Sequence, residues 1–275
     1  MEKSVHTLLL LGLPASGKSE LRRYLAHLDP ETRRRDLRIG HPALLDELPY
    51  VRLMRGVDRA LRAEGRDGIF LLSDDGSWID RRDWGTLIHL LNEDHADMMD
   101  HYLVTTLHAG AWVLDRLEAA AQKTGIPPRL NSLPKPEWRK VADALEADAT
   151  DLLWARNELA TVEEDGRTVV IEFARGGPPG ATLPPPNGYR YSLAQLSPEI
   201  LARAIILYVG VSPDESYDQP LVRVEAHGRA WDLPIACFDN RADQTRFLRA
   251  DPATWPPEAA ASLHQTLCAA MQSIG

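Results

Sequence analysis

Two rhythms of apolar and polar positions run along this chain. One is the unbroken apolar run. Thr7–Leu11, "RTVVIEFARG" (Arg167–Gly176), "RAIILYVGVS" (Arg203–Ser212) and "DLPIACFDN" (Asp232–Asn240) are of this kind, with a shorter "LRIGH" at Leu37–His41. Continuous rather than alternating apolar runs predict strands covered on both faces. The other rhythm places apolar residues three and four apart, over Lys18–Leu28, Tyr50–Glu64, Leu196–Arg203 and Pro257–Ile274. That spacing predicts helices between or beside the strands, and hence a parallel sheet with crossovers, an α/β fold. Two further pieces predict hairpins. "GIFLLSDDGSWI" turns at Asp74–Asp75–Gly76, and "LVRVEAHGRAW" turns at His227–Gly228.

The alternation fails between Asp83 and about Glu164. "WGTLIHLLNEDHADMMDHYLVTTLHAGAWVLDRLEAAAQ" and "PEWRKVADALEADATDLLWARNELATV" keep helical spacing over many turns, separated by the Pro- and Gly-dense "KTGIPPRLNSLPKP". The expected organisation is therefore a core of residues 1–82 and 165–275 with a helical insertion over 83–164. "GGPPGATLPPPNG" (Gly176–Gly188) follows a predicted strand directly, which puts it at the carboxyl end of the sheet, where such sheets bind ligands. It is either a substrate loop or a stiff surface connection.

The first strand runs into a motif. "HTLLLLGLPASGKSELRRYL" (His6–Leu25) holds Gly12-Leu-Pro-Ala-Ser-Gly17-Lys18-Ser19, a full match to G-x-x-x-x-G-K-[ST]. A secretion signal would need a basic start and a longer apolar stretch; here Glu2 and Lys3 cancel and the uninterrupted apolar run is Leu8–Leu11. A phosphate loop explains each residue. Glycines let backbone N–H groups turn inward onto a polyphosphate. Lys18 reaches the outer phosphates and the Ser19 hydroxyl binds Mg²⁺. The helix that follows points its N-terminal N–H groups at the same phosphates. The strand before the motif and the amphipathic Leu21, Tyr24, Leu25 and Leu28 after it supply the context the motif requires.

Composition narrows the partners. The 275 residues carry a formal charge of −9, which argues against nucleic acid as main partner. No apolar stretch approaches membrane-spanning length. The basic runs Arg22–Arg23 and Arg33–Arg35 read as a solvated helix end and loop. Cys237 and Cys268 lack a C-x-x-C partner and read as buried thiols of a reduced, cytoplasmic protein.

Among the acids, Glu172 interrupts an apolar strand near its carboxyl end. A charge there needs a metal, a cation or water. It is the first candidate for holding Mg²⁺, the alternative being a structural pair with an arginine such as Arg175. Arg175 is itself a candidate for gripping an acceptor phosphate, or a solvated strand end. Asp46, in "HPALLDELPY", is a candidate acceptor contact or, with Glu47, the acidic start of a helix. Asp74 and Asp75 read as turn residues. His89, His95, His101 and His108 lie near Glu93, Asp94, Asp97 and Asp100, but only Asp97 and His101 stand four apart, and the spacing argues against a metal.

Taken together, "GLPASGKSE" (Gly12–Glu20), "VVIEFARGG" (Val169–Gly177), "IILYVGVSPDES" (Ile205–Ser216) and "ACFDNRADQT" (Ala236–Thr245) resemble the P-loop nucleotide-kinase family, of the nucleoside-monophosphate-kinase-like kind. The resemblance covers about half of the chain. It implies a three-layer P-loop NTPase fold with a mostly parallel five-stranded sheet, ATP and Mg²⁺ as cofactors, and phosphoryl transfer to a small acceptor. It further implies nucleotide contacts from Gly12, Ala15, Ser16, Gly17, Lys18, Ser19 and Glu20, and places Asn240 and Arg241 beside the base. No N-K-x-D guanine motif occurs. Such kinases carry arginines in a lid. Here Tyr217-Asp-Gln-Pro220 leads straight into a hairpin, so the lid reads as missing or very short, with Arg223, Arg229 or Arg241 as substitutes. Two readings follow: a cytoplasmic small-molecule kinase using Lys18, Glu172 and Arg175, or an ATP-binding regulatory protein that keeps the core and has lost the lid.

Overall fold

The computed structural model describes residues 4–74, 76–162, 166–176, 183–211 and 221–274. In chain order the first elements are β1 (Thr7–Gly12), α1 (Lys18–His27), α2 (Pro30–Leu37), β2 (His41–Asp46), α3 (Leu48–Ala63), α4 (Asp83–Met99), α5 (Ala109–Lys123) and α6 (Lys135–Thr161). There follow β3 (Arg167–Glu172), α7 (Gly188–Ala194), α8 (Pro198–Leu201), β4 (Ala204–Gly210), β5 (Leu221–Ala226), β6 (Arg229–Asp239), two short 3₁₀ turns and α9 (Pro257–Gln272). They form two compact units, Met1–Leu45 with Glu164–Gly275, and Asp46–Glu163.

The first unit is built on a six-stranded sheet of order β2-β3-β1-β4-β6-β5. β1 pairs in parallel with β3 and β4, and β4 with β6; β5 is antiparallel to β6. The sheet thus has the expected α/β character, with one strand more than expected because the hairpin joins its edge. His227 and Gly228 both have positive φ, 54° and 74°, which is the two-residue turn whose twist suits paired strands. Successive leucines of β1 face opposite sides. Leu8 and Leu10 join Leu21 and Leu25 of α1, Leu37 of α2 and Leu263 and Leu267 of α9 in one core. Leu9 and Leu11 are buried on the other face. Each such leucine contributes roughly 1.5–3 kcal/mol, which fixes the strand whose end carries the loop.

Three details depart from the sequence reading. The second strand is not Leu37–His41. Asp29 caps a helix there, its Oδ2 accepting from the Thr32 N–H at 2.9 Å with Pro30 in the first turn, and that helix runs on to Leu37. Ile39 keeps an isolated bridge to Val5, and β2 begins at His41. Pro42 fits because β2 is an edge strand. Second, Arg33 is buried rather than solvated. Its Nε donates to Gly40 O (2.8 Å) and its Nη1 to Leu25 O (2.9 Å) and Leu28 O (3.3 Å), so it satisfies carbonyls at the end of α1. Third, Cys237 is exposed and Cys268 half-buried; Cys237 shares a face of β6 with the buried Trp231, Leu233 and Ile235, but that cover does not extend to it near the carboxyl end of the strand.

The second unit is helical and begins at Asp46, so it takes in α3 and the hairpin as well as the expected insertion. The reason is packing: Tyr50, Leu53, Met54 and Val57 of α3 share a core with Val113, Leu117, Val141 and Leu145. Gly110 lets α5 approach α6, since a Cβ there would lie 2.0 Å from Ala142 O. The hairpin is minimal, with a bridge between Leu71 and Trp78; Asp74 accepts from Arg62 Nη1 at 2.8 Å, and Asp75 lies outside the described residues. Among the described residues no helix is long and apolar enough to cross a membrane.

Candidate phosphate-binding site

β1 lies beside both β3 and β4. The chain leaves β1 toward β2 at one edge and leaves β4 toward β5 and β6 at the other. β1 and β4 therefore flank a topological switch point, and the crevice beyond their carboxyl ends is where open α/β sheets bind ligands. The Gly12–Ser19 loop stands at that point. Its path needs its glycines: Gly12 has φ +153°, where a Cβ would meet Val209 O at 2.7 Å, and Gly17 has φ +100°, where a Cβ would lie 2.4 Å from Thr245 Oγ1. Ala15 also takes a left-handed conformation, with φ 61°.

Lys18 opens α1 and is 5% exposed. Its ammonium donates to Gly12 O (3.0 Å), Leu13 O (2.7 Å) and Ser16 Oγ (3.4 Å), all within the loop. These are neutral partners, which hold a buried ammonium less firmly than a phosphate oxygen would. Ser19, the next residue, donates from Oγ to Glu172 Oε1 at 3.2 Å. Glu172, 8% exposed at the end of β3, also accepts from Arg22 Nη1 at 2.9 Å on Oε2. The hydroxyl and the carboxylate are hard oxygen donors side by side, a pair that suits Mg²⁺. Arg22 was not anticipated as a site residue, though it stands three after Ser19 and so on the same helix face.

The remaining expected residues divide. Asn240 is buried behind the loop. Its Nδ2 donates to Ser16 O (2.8 Å) and Thr245 Oγ1 (3.0 Å), and its Oδ1 accepts from Thr245 N–H (3.3 Å). Asn240 and Thr245 together form the floor against which Gly17 packs, so Asn240 braces the loop in place of reaching a base. Arg241 lies at the surface and pairs with Asp239, whose carboxyl it holds down at about 2. Glu20 accepts from Arg249 Nε at 2.8 Å, tying α1 to the 3₁₀ turn at Arg246–Arg249.

Arg175 does not sit as an acceptor grip. It is 2% exposed, its Nε donates to Ser192 Oγ (2.7 Å), its Nη1 to Ala174 O (2.7 Å), and its guanidinium lies 5.2 Å from the Phe173 ring centroid. Burial on those partners makes it a brace between β3 and α7. Asp46 accepts from Leu48 N–H at 2.9 Å and so caps the start of α3. Arg223 pairs with Asp232, and Arg229 stacks on Trp231 with 3.3 Å between its Cζ and the ring centroid. The proposed absence of a lid falls on Tyr217–Pro220, and part of the Pro/Gly loop on residues 177–182; both lie outside the described residues.

In the helical unit three of the four acids near the histidines, Glu93, Asp94 and Asp97, are paired with arginines. Asp94 accepts from Tyr50 Oη (2.6 Å), Arg116 Nη2 (2.8 Å) and Arg156 Nε (2.7 Å). Glu93 pairs with Arg116 and Lys123, and Asp97 with Arg156. His101 Nδ1 lies 2.8 Å from Ala160 O. Among the described residues no group of three or more His, Cys, Asp or Glu has metal-binding geometry.

Comparison with known proteins leaves the site to its own geometry: no protein-family model matches the chain, no curated protein matches it, and no solved structure matches it.

Proposed function

We propose that the chain binds ATP with Mg²⁺ at the Gly12–Ser19 loop and acts as a phosphotransferase on a small-molecule acceptor. One observation carries the reading. Lys18, Ser19 and Glu172 converge at the switch point of an α/β sheet, with the Ser19 hydroxyl 3.2 Å from the Glu172 carboxylate. In this reading Lys18 exchanges its carbonyl partners for the outer phosphate oxygens, a gain in hydrogen-bond strength because both groups are then charged. Ser19 Oγ and Glu172 Oε1 would hold Mg²⁺, and Arg22, now on Glu172 Oε2, would give up that carboxylate to it. Bound there, Mg²⁺ would supply charge neutralisation for the polyphosphate. The N-terminus of α1 adds N–H groups and its positive dipole end. The chain's own contribution to rate is positioning and charge stabilisation.

The test is to incubate the protein and its Lys18→Ala variant with ATP–Mg²⁺ and a pool of nucleosides, nucleotides, sugars and amino-alcohols, and to measure ADP. ADP formed only with the pool, and only by the wild type, supports the reading. ATP binding without ADP formation moves it to the second reading, a nucleotide-binding regulatory protein. A specific observation favours that second reading: Arg175, the acceptor grip expected from the sequence, is buried and donates to Ser192 Oγ and Ala174 O.

A further inference from the structure

β1 and β3 come apart at their carboxyl ends. Val169 N–H donates to His6 O at 2.9 Å, and the ladder runs on in register to Leu10 opposite Glu172. Continued by one more step, that phase pairs Gly12 N–H with Phe173 O and Arg175 N–H with Gly12 O. The hydroxyl of Tyr189, on α7, stands among those four groups instead. It accepts from Gly12 N–H (2.7 Å) and Arg175 N–H (3.2 Å), and lies 2.7 Å from Gly12 O and 3.3 Å from Phe173 O as their donor. One proton and two lone pairs are all a phenol offers, and the nearer carbonyl takes the proton. The ring is held between Phe173 and Tyr208, with centroids 5.7 Å and 6.1 Å away.

Gly12 O is the carbonyl to which Lys18 also donates. From this geometry we propose that Tyr189 is a positioning residue for the phosphate loop. Its hydroxyl takes the place of the last rung between β1 and β3, and gives Gly12 O a donor that remains when the Lys18 ammonium moves to a polyphosphate. The proposal rests on the nucleotide reading above. Gly12 is buried, so a carbonyl left there without a donor is costly. With the hydroxyl present, Lys18 leaves without that cost. With it gone, the cost falls on nucleotide binding.

Tyr189→Phe removes the hydroxyl and keeps the ring. ATP–Mg²⁺ affinity is measured for wild type and variant by calorimetry, at a temperature where melting curves show both fully folded, and amide exchange at Gly12 is followed in the wild type with and without ATP. The expected result is affinity weaker by about tenfold in the variant, with the wild-type Gly12 amide slow to exchange in both states. If the wild type binds ATP and the variant binds it equally well, the role of Tyr189 is overturned and the nucleotide reading stands. If the wild type binds no ATP, the nucleotide reading falls, and this proposal with it. If the variant does not fold, the wild-type exchange decides: protection kept on ATP binding supports the proposal, and protection lost overturns it.

Discussion

Both units bury charge, and they do so differently. In the helical unit the buried acids are closed off. Asp94 lies between two arginines and a tyrosine, whose phenol is held well above its usual range by burial and by the acid beside it. Asp58 receives the N–H groups of Ile69, Phe70 and Leu71 at 2.7–3.1 Å, and Glu118 those of Arg129, Leu130 and Asn131 at 2.9–3.4 Å. Asp83 is paired with Arg129, although burial still pushes its carboxyl up. In the sheet unit Lys18 rests on neutral loop oxygens, and Glu172 on a hydroxyl and a half-exposed arginine. Closed networks fix a fold. Partners that a phosphate or a divalent ion can replace leave charges ready for a ligand. The same residue types serve opposite ends, and the replaceability of the partner tells them apart.

The largest effect that would break this contrast is on stability. Asp94→Ala leaves Arg116 and Arg156 without their shared acid and should cost about 3–5 kcal/mol, measured by denaturant unfolding. A loss under about 1 kcal/mol would show that the network is not closed. At the loop, Lys18→Ala should weaken ATP binding by roughly a hundredfold or more, since a desolvated charged contact of this kind is worth about 3 kcal/mol. Its melting temperature should move less than that of Asp94→Ala, because the loop carbonyls that accept from the lysine are neutral.

How far the sequence alone reaches follows from the range of the contacts involved. The phosphate loop is legible because its residues are contiguous and its strand and helix flanks adjoin it. Glu172 is legible because one charge in an apolar strand stands out. The brace from Asn240 to Ser16 and the Tyr189 contact to Gly12 cross 224 and 177 residues, and no local pattern carries them. Arg33 looks solvated within an arginine run, and only the fold reveals the carbonyls that surround it. Leu37–His41 reads as a strand because its apolar Leu37 and Ile39 alternate with polar positions, while the helix that ends there is set by the Asp29-Pro30 start eight residues before.

Smaller effects sharpen the contrast. Arg22→Gln removes a competitor for Glu172 and should tighten Mg²⁺ binding by a few-fold, at a stability cost within about 1 kcal/mol because the arginine is partly exposed. Titration of Mg²⁺ at fixed ATP reads this out, and weaker binding would mean that Arg22 itself holds the nucleotide. The smallest effect lies at Asp36. Hydrogen bonds from Arg35 and then from His264 Nε2, whose Nδ1 faces Tyr24 Oη at 3.0 Å, hold its carboxyl down at about 2 against an ordinary 3.8. A depressed carboxyl stabilises the fold above its ordinary value, and that contribution disappears as pH falls through 2. Asp36→Asn should therefore lower the melting temperature at neutral pH and leave it unchanged near pH 2.

The most direct measurement is calorimetric titration of ATP, with and without Mg²⁺, into the wild type and its Lys18→Ala and Glu172→Gln variants. The account predicts saturable binding by the wild type that Mg²⁺ strengthens, binding weakened by roughly a hundredfold or more with Lys18→Ala, and binding kept but no longer strengthened by Mg²⁺ with Glu172→Gln. ATP binding that is absent from the wild type, or equal in all three proteins, would contradict it.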